Sequence, residues 1–240
     1  MNRESIHQFG ENGILTGILT EPAVIKADDL CFVILNAGLV HHVGPFRMNV
    51  NLARDVANLG MPSFRFDLSG IGDSQRREGE QSDIARAVTD IRDAFDYLSD
   101  RKGFSKFVTF GLCSGADNAH AAGLQDQRLV GAVMLDGPGY PNFLHMAHHY
   151  GPKLLKIKPW TNKFKRLFRT DARTTVHQEI NTRNFGPQNK VETEINDLVR
   201  RGVELLYIYS GGIESYYNHA SQFRENFPSL KVNIPGSLMY

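Results

Sequence analysis

Hydrophobic positions follow two different periods along this chain. Short, almost continuous apolar runs occur at 30–38, 106–111, 129–137 and 203–212, and a further strand followed by a glycine-rich turn is expected within 61–74. Such runs are typical of strands that are buried on both faces of a parallel sheet. Between them lie longer segments with a helical apolar period, at 48–60, 83–99, 116–126 and 191–202. Alternation of this kind predicts βαβ units with right-handed crossovers and a mostly parallel sheet, an α/β fold flanked by helices.

The helix at 83–99 has the clearest pattern. Ser82 is placed to cap its first turn. One face of the helix carries five apolar residues, which are Ile84, Val88, Ile91, Phe95 and Leu98. We therefore expect this helix to pack against the sheet along that face.

Two segments depart from the alternation. The sequence Glu11-Asn12-Gly13 separates two apolar runs near the start of the chain and predicts a β-hairpin. Residues 138–190 interrupt the βα rhythm and are rich in Lys and Arg after Gly137. We interpret 1–240 as one domain with a helical cap inserted at about 138–190. Beyond it we expect a helix over 214–227 and the beginning of a last strand near the end of the chain.

Composition places few limits on function. The chain has 240 residues, 41% hydrophobic and 22% charged, with a net charge of +1. These values suit a soluble globular protein and give no overall sign of a nucleic-acid partner. Two cysteines are too few for a disulfide framework, and the N-terminus lacks the apolar core of a signal peptide. We therefore expect a cytoplasmic protein with no nucleic-acid or membrane partner.

The sequence Gly111-Leu112-Cys113-Ser114-Gly115 follows a predicted strand and precedes a predicted helix. Small residues two before and two after a central residue allow the helix to pass close to the strand and present a nucleophile at the turn. Cys113 has the central position, and the positive end of the following helix would favour its reactive thiolate form. Ser114 as nucleophile would shift the frame and place the large Leu112 at a flanking position. Cys113 could also be an inert buried cysteine, as we expect for Cys31 inside its strand.

Four segments in order resemble the α/β-hydrolase superfamily. They are the loop at 36–39, the turn at 65–74, the elbow at 111–115 and the turn at 209–214. The cysteine at the elbow resembles the variant found in dienelactone hydrolases and in some other cysteine-centred hydrolases and acyltransferases.

The resemblance implies a role for particular residues. Cys113 would be the nucleophile, and the backbone N–H groups of Leu39 and Ser114 would form the oxyanion hole. Glu214 would be the acid that orients a histidine, with Asp136 as the alternative. Asp67 and Ser74 would tie down the turn at 65–74.

The histidine of the family pattern is missing from its usual place. It should follow the acid, and only His219 does so, on a segment predicted to be helical before the last strand. We expect the histidine loop and closing helix to lie past residue 240. Alternatively, the domain serves for binding without catalysis, or another histidine has taken over. His41 and His42 could line the substrate site, and His145, His148 and His149 lie on the predicted cap.

The function implied is hydrolysis of an ester or thioester through an acyl-cysteine intermediate, or acyl transfer to an acceptor other than water. The expected partner is a small-molecule ester or thioester, carried by CoA or a carrier protein in one interpretation. The basic face of 159–169 on the cap would suit such an anionic carrier. No cofactor is implied, and no metal, since no cysteine–histidine cluster has ligand spacing.

Overall fold

The computed structural model describes residues 1–26, 29–154, 185–213 and 216–230. Seven strands form one sheet in the order β1-β2-β4-β3-β5-β6-β7. Their bounds are β1 Arg3–Phe9, β2 Leu15–Glu21, β3 Leu30–Ile34, β4 Ser63–Phe66, β5 Lys106–Leu112, β6 Leu129–Leu135 and β7 Glu204–Ile208. The hairpin predicted at the start of the chain and the five later strands are confirmed.

Helices follow the strands in the predicted order. Their bounds are α1 Met48–Asn58, α2 Asp83–Lys102, α3 Ser114–Gln125, α4 Phe143–Leu154, α5 Gln188–Arg200 and α6 Gln222–Asn226. The hydroxyl of Ser82 accepts a hydrogen bond from the Ala85 N–H and caps α2 as expected. Ile84 was wrongly assigned to the buried face of this helix. It lies in the first turn and is 51% exposed, whereas Val88, Ile91, Phe95 and Leu98 are buried.

Strands β3 to β7 run parallel, and β2 is antiparallel to both β1 and β4. The carboxyl ends of parallel strands meet at one edge of a sheet, where α/β folds place their ligands. The segments that follow β3, β4, β5 and β6 therefore all emerge at the same edge. This edge carries the motifs at 36–39, 65–74 and 111–115.

Strand β3 shows why its residues are apolar throughout. Cys31 and Val33 are buried on one face of the sheet, in the cluster that includes residues of α2 and α3. Phe32 and Ile34 are buried on the other face, together with Ala53 of α1. Because both faces are covered, the two-residue period of the strand places apolar side chains on each side.

The chain divides into two compact units. One consists of Met1–Gly137 and Glu194–Ile208, and the other of Pro138–Thr193 and Tyr209–Tyr240. The first holds the whole sheet. The second contains α4 and α6, and its buried aromatic side chains include Tyr209 and Tyr217, whose rings stack at 3.7 Å between centroids. The basic segment 159–169 and the strand predicted near the end of the chain lie outside the described residues.

The helix predicted over 214–227 is wrong over most of its length, since the described helix covers only Gln222–Asn226. Side chains bond to the preceding backbone instead. The Asn218 N–H donates to the Gln222 side chain, which in turn donates to the carbonyl of Tyr216. Such local side-chain bonds compete with helical ones. Among the described residues, no helix is both long enough and apolar enough to cross a membrane.

Candidate active site

The turn from β5 to α3 holds Cys113 in an unusual backbone conformation. Its φ is 53° and its ψ is −118°, a combination that few residues other than glycine adopt. Such a conformation costs of order 1–3 kcal/mol and persists only where the surrounding structure enforces it. The Cys113 N–H donates to the Leu135 carbonyl of β6 at 2.9 Å, and the Cys113 carbonyl accepts from Ala116 at 2.9 Å. The strained cysteine is thus fixed on both sides.

Two glycines make this turn possible. A β-carbon on Gly111 would lie 2.1 Å from the carbonyl carbon and oxygen of Gly115, and one on Gly115 would lie 2.5 Å from the Asn36 carbonyl oxygen. All of these atoms belong to backbone and cannot move aside. The pattern of small residues around Cys113 therefore reflects close contact between α3, β5 and the segment after β3.

Two backbone N–H groups near the turn are available to a ligand. Ser114 is the first residue of α3, where the N–H has no partner inside the helix. In the described part of the chain, neither the Ser114 N–H nor the Leu39 N–H donates a hydrogen bond to protein. The Ser114 hydroxyl accepts from the Gly38 N–H at 2.7 Å and so ties the loop of Leu39 to the elbow.

A hydrogen-bonded centre fixes the loop after β3. Asp67 is fully buried, and its two carboxylate oxygens accept from the His42 N–H at 2.6 Å, the His42 ring Nδ1 at 2.7 Å, the Asn36 amide at 3.0 Å and the Asp73 N–H at 3.0 Å. Burial acts to raise the pKa of Asp67, but these bonds outweigh it and lower the pKa from its ordinary value. Ser74 donates to the Asp67 carbonyl at 2.6 Å. Asp67 and Ser74 thus hold the turn, as the sequence indicated.

His42, Asp67 and Asp73 also bring three possible metal ligand atoms within 4.8 Å of one another. Both oxygens of Asp67 and the Nδ1 atom of His42 are already engaged with each other and with neighbouring N–H groups. The arrangement is therefore that of a hydrogen-bonded structural centre.

A cavity of about 450 Å³ lies beside the elbow. Gly38, Leu39 and Ser114 line it on the side of the turn. The remaining lining residues come from the segment after β4, from α2 and from Asn118 of α3. All of these residues belong to the first unit. A small molecule in this cavity would therefore lie next to the two available N–H groups.

The model of the alpha/beta hydrolase fold matches residues 32–235, which is most of the chain. This chain belongs to the α/β-hydrolase family. Among solved structures, the α/β-hydrolase resembles the esterase Pf2001 of Pyrococcus furiosus, with a TM-score of 0.57 and 14% identity over 100% of this chain and 80% of that one. A serine hydrolase homologue from Coxiella burnetii matches with a TM-score of 0.55 and 13% identity, over 100% of this chain and 88% of that one.

The α/β-hydrolase GrgF of Penicillium sp. sh18 matches with a TM-score of 0.49 and 16% identity over 70% of this chain, which spans only 55% of GrgF. The likenesses to the Pyrococcus and Coxiella proteins, both below 25% identity, show the fold. No match was found among curated protein sequences.

Of the two acids predicted for this α/β-hydrolase, the structure describes Asp136 and not Glu214. Asp136 directly follows the residue that accepts the Cys113 N–H bond, is 5% exposed and has a φ of 55°. Its N–H donates to the Ile208 carbonyl at 2.7 Å, which fixes the end of β6 beside β7. Glu214 lies outside the described residues.

The predicted histidines fall in two groups. His41 and His42 lie on the loop that Ser114 ties to the elbow, and His42 is buried against Asp67. His219 precedes α6 rather than lying on a helix, and its ring nitrogens are 3.0 Å from the Ser221 hydroxyl and 3.1 Å from the Asn142 side chain. Burial lowers the pKa of His219. Both ring nitrogens of His219 therefore contact side chains of the second unit, which indicates a structural role for this histidine.

Of the remaining histidines predicted on the cap, His145 is buried and lies on α4 together with His148. His149 also lies on α4, and its side chain is outside the description. The chain after β6 is therefore helical over Phe143–Leu154.

Sequence reasoning missed two side chains that shape this site. Asn36 is buried and bonds to the Leu68 N–H, the Val40 carbonyl and Asp67. The hydroxyl of Ser114 was considered only as an alternative nucleophile, whereas it accepts a bond from Gly38. The role of Asn36 had one signal in the sequence, an asparagine directly after an apolar strand. A polar side chain that is buried there needs hydrogen-bond partners.

Proposed function

We propose that this protein hydrolyses carboxylic ester or thioester bonds through an acyl-enzyme formed on Cys113. The observation that supports this most strongly is the strained, positive-φ conformation of Cys113 at the strand-to-helix turn. Strain of this kind is kept where a side chain must be presented to a ligand. The membership in a family with esterase-like neighbours supports the same class of reaction.

In the first step, the Cys113 thiolate attacks the carbonyl carbon of the substrate and forms an S–C bond. The N–H groups of Ser114 and Leu39 stabilise the negative charge that develops on the carbonyl oxygen. The carbonyl then re-forms, the bond to the leaving oxygen or sulfur breaks, and the leaving group takes a proton. The loop of Leu39 is held for this purpose by the bond between Gly38 and the Ser114 hydroxyl.

In the second step, water attacks the acyl-cysteine and the C–S bond breaks. A proton of the water passes to the sulfur, the carboxylic acid leaves, and the Cys113 thiol is regenerated. Water needs a general base at neutral pH, which speeds such steps by about 100- to 10,000-fold. Asp136 and Glu214 are the proposed acids that would orient a histidine for this purpose. If the acceptor is an alcohol or amine in place of water, the same intermediate gives acyl transfer.

The test is the pre-steady-state hydrolysis of p-nitrophenyl acetate by wild type and variants. We expect wild type to release one equivalent of p-nitrophenol per protein in a burst, followed by a slower phase set by deacylation. Cys113→Ala should abolish the burst, because the nucleophile is gone.

Cys31→Ala is the matched control, since Cys31 is the other cysteine of the chain and is fully buried in β3. Burial raises the pKa of the Cys31 thiol, so it should contribute no thiolate. An undiminished burst in Cys113→Ala, or its loss in a folded Cys31→Ala, would contradict the proposal.

A further inference from the structure

We propose that the cavity beside the elbow recognises an anionic group on the substrate through Arg76 and Asn118. This inference rests on the proposed ester or thioester hydrolysis and adds the class of substrate. Both residues line the cavity, as do Leu39 and Ser114, which carry the proposed oxyanion donors. The substrate would therefore be an ester or thioester with a carboxylate or similar anion a short distance from the reacting carbonyl.

Among the described residues, Arg76 is the cation lining this cavity for which no partner is found. Its side chain is exposed and packs over Gly70, where an added β-carbon would lie 3.8 Å from the Arg76 Cβ and Cγ atoms. Within the described part of the chain, Arg76 forms no ion pair or hydrogen bond. An arginine offers several N–H donors that match a carboxylate or phosphate.

The other charges in the cavity are compensated within the protein. Arg86 pairs with Asp83 on the first turn of α2. Asp90 is fully buried, accepts from the Ser69 N–H at 2.7 Å and pairs with Arg77 at 2.9 Å. Arg86 and Asp90 are thus held by protein groups, and Arg77 is shared with Asp93 and Glu11. Arg76 is the other cation that lines the cavity, and an anion is the ligand it favours.

Asn118 supplies a second, independent indication. The residue is 8% exposed and lies on α3, one turn after the elbow. Its amide makes no hydrogen bond within the described chain, and its polar atoms are not among those enclosed by protein. The amide of an otherwise buried residue that lines a cavity therefore faces that cavity. A buried polar group usually has a partner, and here a ligand can provide it.

The anionic group can belong to the acyl part or to the alcohol part of the substrate, and the test distinguishes these two cases. The probes are monomethyl glutarate, with a carboxylate on the acyl side, carboxymethyl pentanoate, with a carboxylate on the alcohol side, and the neutral methyl pentanoate. Binding of each is measured by calorimetry to the Cys113→Ala variant, in which no turnover can occur. We expect one of the charged probes to bind about tenfold more tightly than methyl pentanoate, because a bond to a charged group contributes roughly that much.

Adding Arg76→Gln to Cys113→Ala should remove this preference. Adding Asn118→Asp should remove it too, because the new negative charge offsets that of Arg76. Arg3→Gln is the matched control, since it removes one exposed positive charge from β1, away from the cavity. The preference should also weaken as salt is added, since Arg76 is exposed.

Equal affinities for charged and neutral probes, or a preference that Arg76→Gln leaves intact, would overturn the proposal. Because binding is measured without chemistry, this result is independent of the acylation test. A preference that depends on Arg76 in a protein that shows no burst on Cys113 would support the anion site and refute the hydrolysis. A burst on Cys113 without such a preference would support the hydrolysis and refute the anion site.

Discussion

Cys113 and Asp67 have opposite roles at the same edge of the sheet. Cys113 has a strained backbone and a partly exposed side chain, whereas Asp67 is fully buried and accepts four hydrogen bonds. A nucleophile must be reachable, and the groups that position it must not move. The residues around Cys113 follow this division, with Asn36 and Asp67 holding the loop that the Ser114 hydroxyl joins to the elbow.

Asp67→Asn should destabilise the protein by about 2–4 kcal/mol, because the neutral amide cannot accept all four bonds of the buried carboxylate. The native pKa of Asp67 is lowered, so its stabilisation is present at neutral pH and is lost as the pH falls through that lowered value. The difference in unfolding free energy between wild type and variant should therefore be largest near neutral pH and become smaller in acid. Urea unfolding over this range measures it.

Asp73→Asn is the control for this prediction, since Asp73 is exposed and contributes its backbone N–H to Asp67. It should leave the pH profile close to that of wild type. A difference between wild type and Asp67→Asn that stays constant from neutral to acid pH would contradict the assigned linkage.

At the scale of elements, the close approach of α3 to β5 and to the segment after β3 depends on glycine. Gly115→Ala should abolish the acylation burst and lower stability, because its β-carbon would lie 2.5 Å from the Asn36 carbonyl oxygen. Either the segment after β3 or the start of α3 must move, and each of them carries one of the proposed oxyanion donors, Leu39 and Ser114. Burst amplitude and urea unfolding check the two effects.

Gly123→Ala makes the same change in the same helix. There the new β-carbon would lie 3.3 Å from a methyl group of Leu198, a side chain that can adjust by a few tenths of an ångström. Alanine also favours helix over glycine by about 1 kcal/mol. We expect a burst like that of wild type, and an equal loss in both variants would show that the elbow has no special requirement.

The elements themselves could largely be predicted from sequence. Apolar runs and helical periods located β3, β5, β6, α2 and α3, because burial on both faces of the sheet demands those patterns. The segment 214–227 could not be predicted in this way. Its residues have helix-like composition, yet side chains such as that of Gln222 bond to the preceding backbone.

At the scale of the whole molecule, parallel strands explain how distant motifs meet. The segments at 36–39, 65–74 and 111–115 are far apart in sequence, but each follows a strand whose carboxyl end lies at the same edge. This much of the site follows from the sequence once a parallel sheet is predicted. Three other features depend on the exact paths of the loops, which periodicity does not specify. They are the partners of Asn36, the bond between Ser114 and Gly38, and the position of Arg76 beside the cavity.

The central claim, that Cys113 is the acylated nucleophile, is tested most directly by mapping the acyl group. The protein is exposed briefly to p-nitrophenyl acetate, quenched in acid and digested, and the peptides are sequenced by tandem mass spectrometry. We predict a single acetyl group on Cys113, with Cys31, Ser114 and the lysines unmodified, and protection when the cavity is filled by an inert product acid. Acetylation of Ser114 in place of Cys113, or random modification of surface lysines with Cys113 untouched, would contradict the account.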